Sequence, residues 1–126
     1  MKKEIISTTG APAAIGPYSQ AVSAGEFIFA SGQLPIDPVS GTMPESITEQ
    51  AHQSLKNLRA ILEAAGSSMA GVVKTTVFIS DIKNFGEVNG VYAQYFTENF
   101  PARSCFEVGA LPKGALIEVE AVAVKS

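Results

Sequence analysis

Up to about residue 45 the apolar positions come in short runs separated by turn formers; beyond it they take up helical spacing. Glu4-Ile5-Ile6-Ser7 reads as a brief strand, ended by Thr8-Thr9-Gly10-Ala11-Pro12. Residues 18–23 follow in extended form, and Ala24-Gly25-Glu26 forms a tight turn in which Gly supplies the unusual φ. Residues 27–31 have strong strand composition. The next stretch, 33–41, holds two prolines and a glycine and reads as loop or edge. A helix then opens at a capping box, Ser46-Ile47-Thr48-Glu49. Its apolar stripe is Ile47, Ala51, Leu55, Leu58, Leu62 and Ala65, at spacings of 4, 4, 3, 4 and 3. Gly66 stands where a glycine past the C-cap would stop it.

Residues 72–80 are β-branched and apolar on both faces, a strand. A second helix is expected to be capped at Asn84, with Glu87 three residues on and Phe85, Val88, Tyr92, Tyr95 and Phe96 on its buried side. Pro101 prevents its continuation. Strands near 103–108 and 117–124 close the chain. The order β-β-β-α-β-α-β-β predicts an α+β fold, a mixed sheet with two helices packed on one face. Two helices cannot cover two faces, so the other face calls for an oligomer interface.

Composition narrows the function. A length of 126 residues fits one domain, 1–126, with no repeat or linker. Only 17% of residues are charged, fewer than is usual, which also favours self-association. Net charge is −3, and the longest basic run is Lys2-Lys3, so no nucleic-acid partner is expected. One Cys and one His exclude an internal disulfide and a Cys/His metal cluster. No metal or cofactor is expected. The N-terminus lacks the apolar core of a signal peptide, and no run is long enough to span a membrane. The expected compartment is the cytoplasm.

Strand alternation puts Arg103, Cys105 and Glu107 on one face and Ser104, Phe106 and Val108 on the other. In the last strand Glu118 and Glu120 lie opposite the series Ile117, Val119, Ala121 and Ala123. If the Arg103 and Glu118 faces coincide, an arginine, a thiol and several carboxylates converge on the face expected to be intersubunit. Such an arginine can grip a carboxylate through paired N–H bonds, and a Glu can position or deprotonate water. The competing reading is an ordinary ion pair between Arg103 and a Glu across the sheet or interface. His52, beside the first helix's stripe, reads as a half-buried or surface structural residue. Within the second helix Asn89-Gly90 is locally costly and points to close approach of another surface.

Three segments carry a resemblance. Ile15-Gly16-Pro17-Tyr18-Ser19-Gln20-Ala21, Ala30-Ser31-Gly32-Gln33-Leu34-Pro35-Ile36-Asp37 and Pro101-Ala102-Arg103-Ser104-Cys105 resemble the Rid (reactive intermediate deaminase) family, close to its RidA branch, over essentially the whole chain. Val119 stands where the family more often has Met or Ile. The resemblance implies a chorismate-mutase-like domain assembled as a homotrimer with clefts between subunits. It implies hydrolysis of 2-iminobutanoate and 2-iminopropanoate to 2-keto acids and ammonia, without cofactor. Carried over, Arg103 clamps the substrate carboxylate, while Glu118 and the backbone around Cys105 hold the attacking water. Tyr18, Ser31, Gly32 and Asn89 match positions lining the family cleft. No local His would activate Cys105 as a nucleophile. Two other functions compete: a non-catalytic trimer that binds small metabolites or acts as a chaperone, and an RNA-acting inhibitor of translation.

Overall fold

The computed structural model describes residues 1–126. Six strands form one sheet: β1 (Lys3–Ile6), β2 (Ala21–Ala24), β3 (Phe27–Gln33), β4 (Val72–Ile79), β5 (Ala102–Glu107) and β6 (Ile117–Val124). Two helices, α1 (Ile47–Ala64) and α2 (Phe85–Tyr95), interrupt them in the expected order. The spatial order is β1-β2-β3-β6-β4-β5. Only β4 and β5 run parallel, as the intervening α2 crossover requires; every other pair is antiparallel, so the sheet is mixed. The last strand has the expected bounds; the other strands differ from expectation at one or both ends by up to three residues, most at β2, where the stretch before Ala21 lies outside the ladder.

Local signals set the helix ends. Ser46 Oγ accepts from the Glu49 N–H at 3.1 Å, which is the serine half of the capping box. Gly66, at φ 85°, follows the C-cap; its N–H reaches Glu63 O, and Ser67 N–H reaches Leu62 O at 2.8 Å, a Schellman ending. Asn84 does occupy the N-cap position of α2, but its side chain makes no cap bond. The side-chain cap belongs one turn earlier, where Asp81 Oδ1 accepts from Lys83 N–H and closes a short 3₁₀ turn leading into the helix.

Both helices cover the face that carries Ile28, Val77, Ile79, Ile117, Val119 and Ala123, all essentially sealed from solvent with Leu55, Leu58, Ile61 and Leu62 of α1. The opposite face is open. It exposes Phe27 (46%), Phe29 (49%) and Phe106 (46%), beside Val122 and Glu120. It is less apolar than the sequence of β4 predicts, because Lys74, Thr76 and Phe78 alternate onto it, while a register shift between Val72 and Lys74 turns Val72 to the covered face.

Candidate active site

The parallel pairing of β5 with β4 decides where Arg103 goes. Arg103 stands opposite Thr75, and Cys105 opposite Val77, two residues of the helix-covered face. Glu118 stands opposite Phe78, and Glu120 opposite Thr76, on the open face. The two faces therefore do not coincide. Within one chain Arg103 and Glu118 lie on opposite sides of the sheet with β4 between them. Ser104 and Phe106 share the open side with Glu118, whereas Glu107 stays with Arg103 and accepts from Ile82 N–H at 2.9 Å.

Arg103 is held at the sheet edge by α2. Its Nη1 donates to Asn89 Oδ1 at 2.8 Å, and its guanidinium carbon lies 4.8 Å from the Tyr92 ring centroid and 5.4 Å from that of Phe85. Tyr92 is fixed in turn by a 2.8 Å hydrogen bond with Thr75 Oγ1. The plane of the fork is thus set, while most of its N–H groups have no partner in the chain. Burial pushes the Cys105 thiol up, only partly offset by Arg103, so the sulfur is a protonated packing group against the core. Asn89 meets Arg103, but nothing of this chain lies within 4 Å of a Cβ placed on Gly90.

The other candidates gather on the opposite side. Tyr18, Ser31, Gly32 and Glu118 line one cavity of about 740 Å³, together with Ile15, Leu34, Ile36, Pro112 and Lys113. A register shift between Ala30 and Gln33 lifts Ser31 and Gly32 out of the β3–β6 ladder and into this cavity. Ser31 Oγ donates to Ser19 O at 2.6 Å, which commits its proton and leaves its oxygen as an acceptor. Gly32 leaves room for its neighbour: a Cβ there would sit 2.8 Å from Glu118 Cδ and displace the carboxylate. Glu118 is half-buried, and burial first, then the nearby Glu120, raise its carboxyl above the ordinary value.

Sequence reasoning missed the rest of the lining. Leu34 and Ile36 come from a segment read as loop or edge, Pro112 and Lys113 from the connection between the last two strands, and Lys113 is one of two non-glycine residues at positive φ (60°). It also missed Gln20, which is buried and whose amide grips Thr8, Ala11 and Pro12 beside the cavity. His52 bonds Tyr95 OH through Nδ1 at 2.9 Å, away from both groups, in the structural role expected. No three His, Cys, Asp or Glu side chains converge as a metal site.

The family model for endoribonuclease L-PSP matches residues 8–125. The chain belongs to this family, the Rid family of the motifs above. A 2-iminobutanoate/2-iminopropanoate deaminase of Salmonella typhimurium is 52% identical over 123 residues, 95% of this chain and 96% of that protein. A RutC family protein of Pasteurella multocida is 52% identical over 98% of each chain. The crystal structure of Escherichia coli TdcF with bound serine has a TM-score of 0.94 at 47% identity, covering 98% of this chain and 99% of that one. Rid relatives at this identity share the α+β architecture of a mixed sheet with two helices. No helix of this Rid protein is long and apolar enough to cross a membrane.

Proposed function

We propose that this protein hydrolyses small 2-imino acids, 2-iminobutanoate and 2-iminopropanoate among them, to 2-keto acids and ammonia, removing reactive imines before they cause damage. The site is completed between subunits of a homotrimer: Arg103, Asn89 and Cys105 of one chain meet Tyr18, Ser31, Gly32 and Glu118 of the next. The observation that carries this reading is the division of the two sets between the faces of the sheet. Each set is preorganised: Arg103 is braced by Asn89 yet keeps most of its N–H groups unpaired, and the Glu118 carboxylate makes no hydrogen bond in its own chain. The open apolar face supplies the surface for assembly.

The chemistry asks little of the protein. An imine carbon is already electrophilic, so orientation, a carboxylate clamp and one proton relay suffice. Arg103 grips the substrate carboxylate with paired N–H bonds and fixes its plane. Glu118 takes a proton from water as the oxygen adds to the carbon, giving a carbinolamine. Ser31, able only to accept, orients the N–H of the imine. The proton held by Glu118 passes to nitrogen, completing the neutral carbinolamine; Glu118 then relays the hydroxyl proton to the same nitrogen, the C–N bond breaks, and ammonia leaves as the keto acid forms. No step requires a metal, and activity is expected to be unchanged by a chelator.

The test generates the imine with an amino-acid oxidase or a dehydratase and follows its loss with and without the protein. Faster loss to keto acid is expected. An unchanged rate would remove the enzymatic reading and favour a binding role. Sedimentation equilibrium is expected to give about three times the 13.2 kDa chain mass. A stable monomer at micromolar concentration would leave each half-site incomplete.

A further inference from the structure

Part of the cavity wall is built from two stretches outside the strands and the two helices, the second of them a single 3₁₀ turn, Pro112–Gly114. Leu34, Ile36 and Pro38 come from the segment between β3 and α1, and Pro112 and Lys113 from the turn before β6. The first stretch closes on itself: Asp37 N–H donates to Thr42 O, Gly41 N–H to Asp37 O, and Asp37 Oδ1 accepts from Val39 and Ser40 N–H. From Leu34 to Glu45, every hydrogen bond to the rest of the fold is made by one of two side chains of α1. Asn57 Nδ2 donates to Leu34 O at 3.0 Å and to Ile36 O at 2.9 Å. Gln50 Nε2 donates to Pro44 O at 2.8 Å. The same Gln50 amide reaches the second stretch, its Oε1 accepting from Leu116 N–H at 2.8 Å.

These amides are not surface residues that happen to touch a loop. Gln50 is 4% and Asn57 1% exposed, and Gln53 Nε2 donates to Asn57 Oδ1 at 2.9 Å, which orients the Asn57 amide with both donors toward the loop. A buried amide with all its bonds made is a rigid spacer; with one partner removed it leaves unpaired groups behind. The cavity they frame, about 740 Å³, is within the range that holds ligands much larger than a four-carbon acid. This part of its wall is therefore where the length of a substrate side chain is measured.

We propose that Gln50 and Asn57 are positioning residues that set this part of the cavity wall and so determine how large an imino-acid side chain the site accepts. This rests on the imine-hydrolysing reading given above. Neither residue touches the reacting atoms. They act by holding Leu34, Ile36 and the turn at Pro112 at a fixed distance from Glu118. Pro35, fully buried, still anchors the first stretch when the amide bonds are lost.

The test uses Asn57→Leu, Gln50→Met and Gln50→Glu, which keeps the acceptor for Leu116 N–H but sets a buried carboxylate oxygen against Pro44 O in place of the donor. Hydrogen exchange is followed over 34–45 and 112–116, and kinetics are run on imines generated from 2-aminobutyrate and from leucine. Expected are faster exchange in those two segments alone and a KM raised about tenfold with kcat little changed. The ratio of kcat/KM for the two imines should shift at least about fivefold. Gln50→Glu, which keeps the Leu116 bond and loses the Pro44 one, should loosen 34–45 more than 112–116. If Asn57→Leu fails to fold, the two Gln50 variants carry the same comparison. Loosened segments with an unchanged KM and substrate ratio would overturn the inference, as would unaltered exchange. A wild-type protein inactive on both imines would instead defeat the functional reading, and the inference with it.

Discussion

Arg103→Ala is expected to lose about 30-fold to several-thousand-fold in kcat/KM while the oligomer and its secondary structure persist. A small imino acid offers little apolar surface, so its carboxylate must supply much of the binding free energy. Removing one partner from a desolvated charge pair costs roughly 2–5 kcal/mol, a factor of about 30 to several thousand. The guanidinium is braced by Asn89 and by the Tyr92 and Phe85 rings, so little ordering entropy remains to be lost when substrate arrives. Arg103→Lys should recover little, because an ammonium keeps the charge without the fork. Steady-state kinetics with a sedimentation check on each variant decide the matter. A fully active Arg103→Ala protein would overturn the mechanism, and one that fails to assemble would make Arg103 a structural residue.

Glu118→Gln is expected to reduce kcat by about 10²–10⁴, the usual weight of a positioned acid–base group. Its pH signature is the sharper readout. Burial and Glu120 hold the carboxyl above the ordinary glutamate value of 4.5. A base must be ionised, so activity is lost as pH falls through this raised value, and the acid limb lies above pH 4.5. Glu120→Gln removes the like charge and should move that limb to lower pH while retaining turnover. The stability consequence has the opposite sense to that of a salt-bridged carboxylate. Folded Glu118 binds its proton more tightly than the unfolded chain does, so this contribution is present in acid and lost as pH rises through the raised value. An acid limb in the wild type that persists unchanged in Glu118→Gln would assign it to another group.

What the sequence disclosed follows from the range of the forces involved. The Ser46 cap, the Gly66 ending and the α1 stripe are local, involving neighbours within a turn or two, and the structure contains each of them. The face of Arg103 is not local. Alternation along β5 tells which residues travel together, but only the pairing of Thr75 with Arg103 across the ladder says toward which side they point. Asn84 shows a weaker form of the same limit, since Asp81 offers an equally short carboxyl one turn earlier and takes the capping bond. The buried amides were hidden for another reason. Gln50, Ser54 and Asn57 recur at i, i+4 and i+7, a stripe of polar residues on a helix that buries all three. Polarity alone reads as solvent; that spacing beside Ala51, Leu55 and Leu58 is the signal that they face inward.

In the proposed trimer, the sheet that separates Arg103 from Glu118 has a genetic consequence. A chain dead through Arg103→Ala still carries a sound Glu118 face, and a chain dead through Glu118→Gln still carries a sound Arg103 edge. In a cyclic trimer every mixed ring then contains one junction where a good edge meets a good face, whichever chain is in the majority. Random reassembly of equal amounts should restore about a quarter of the wild-type sites from two inactive preparations. The double variant in one chain, mixed with wild type, should instead poison its neighbours on both sides. Inheritance of activity in this protein would thus belong to the junction and not to the polypeptide.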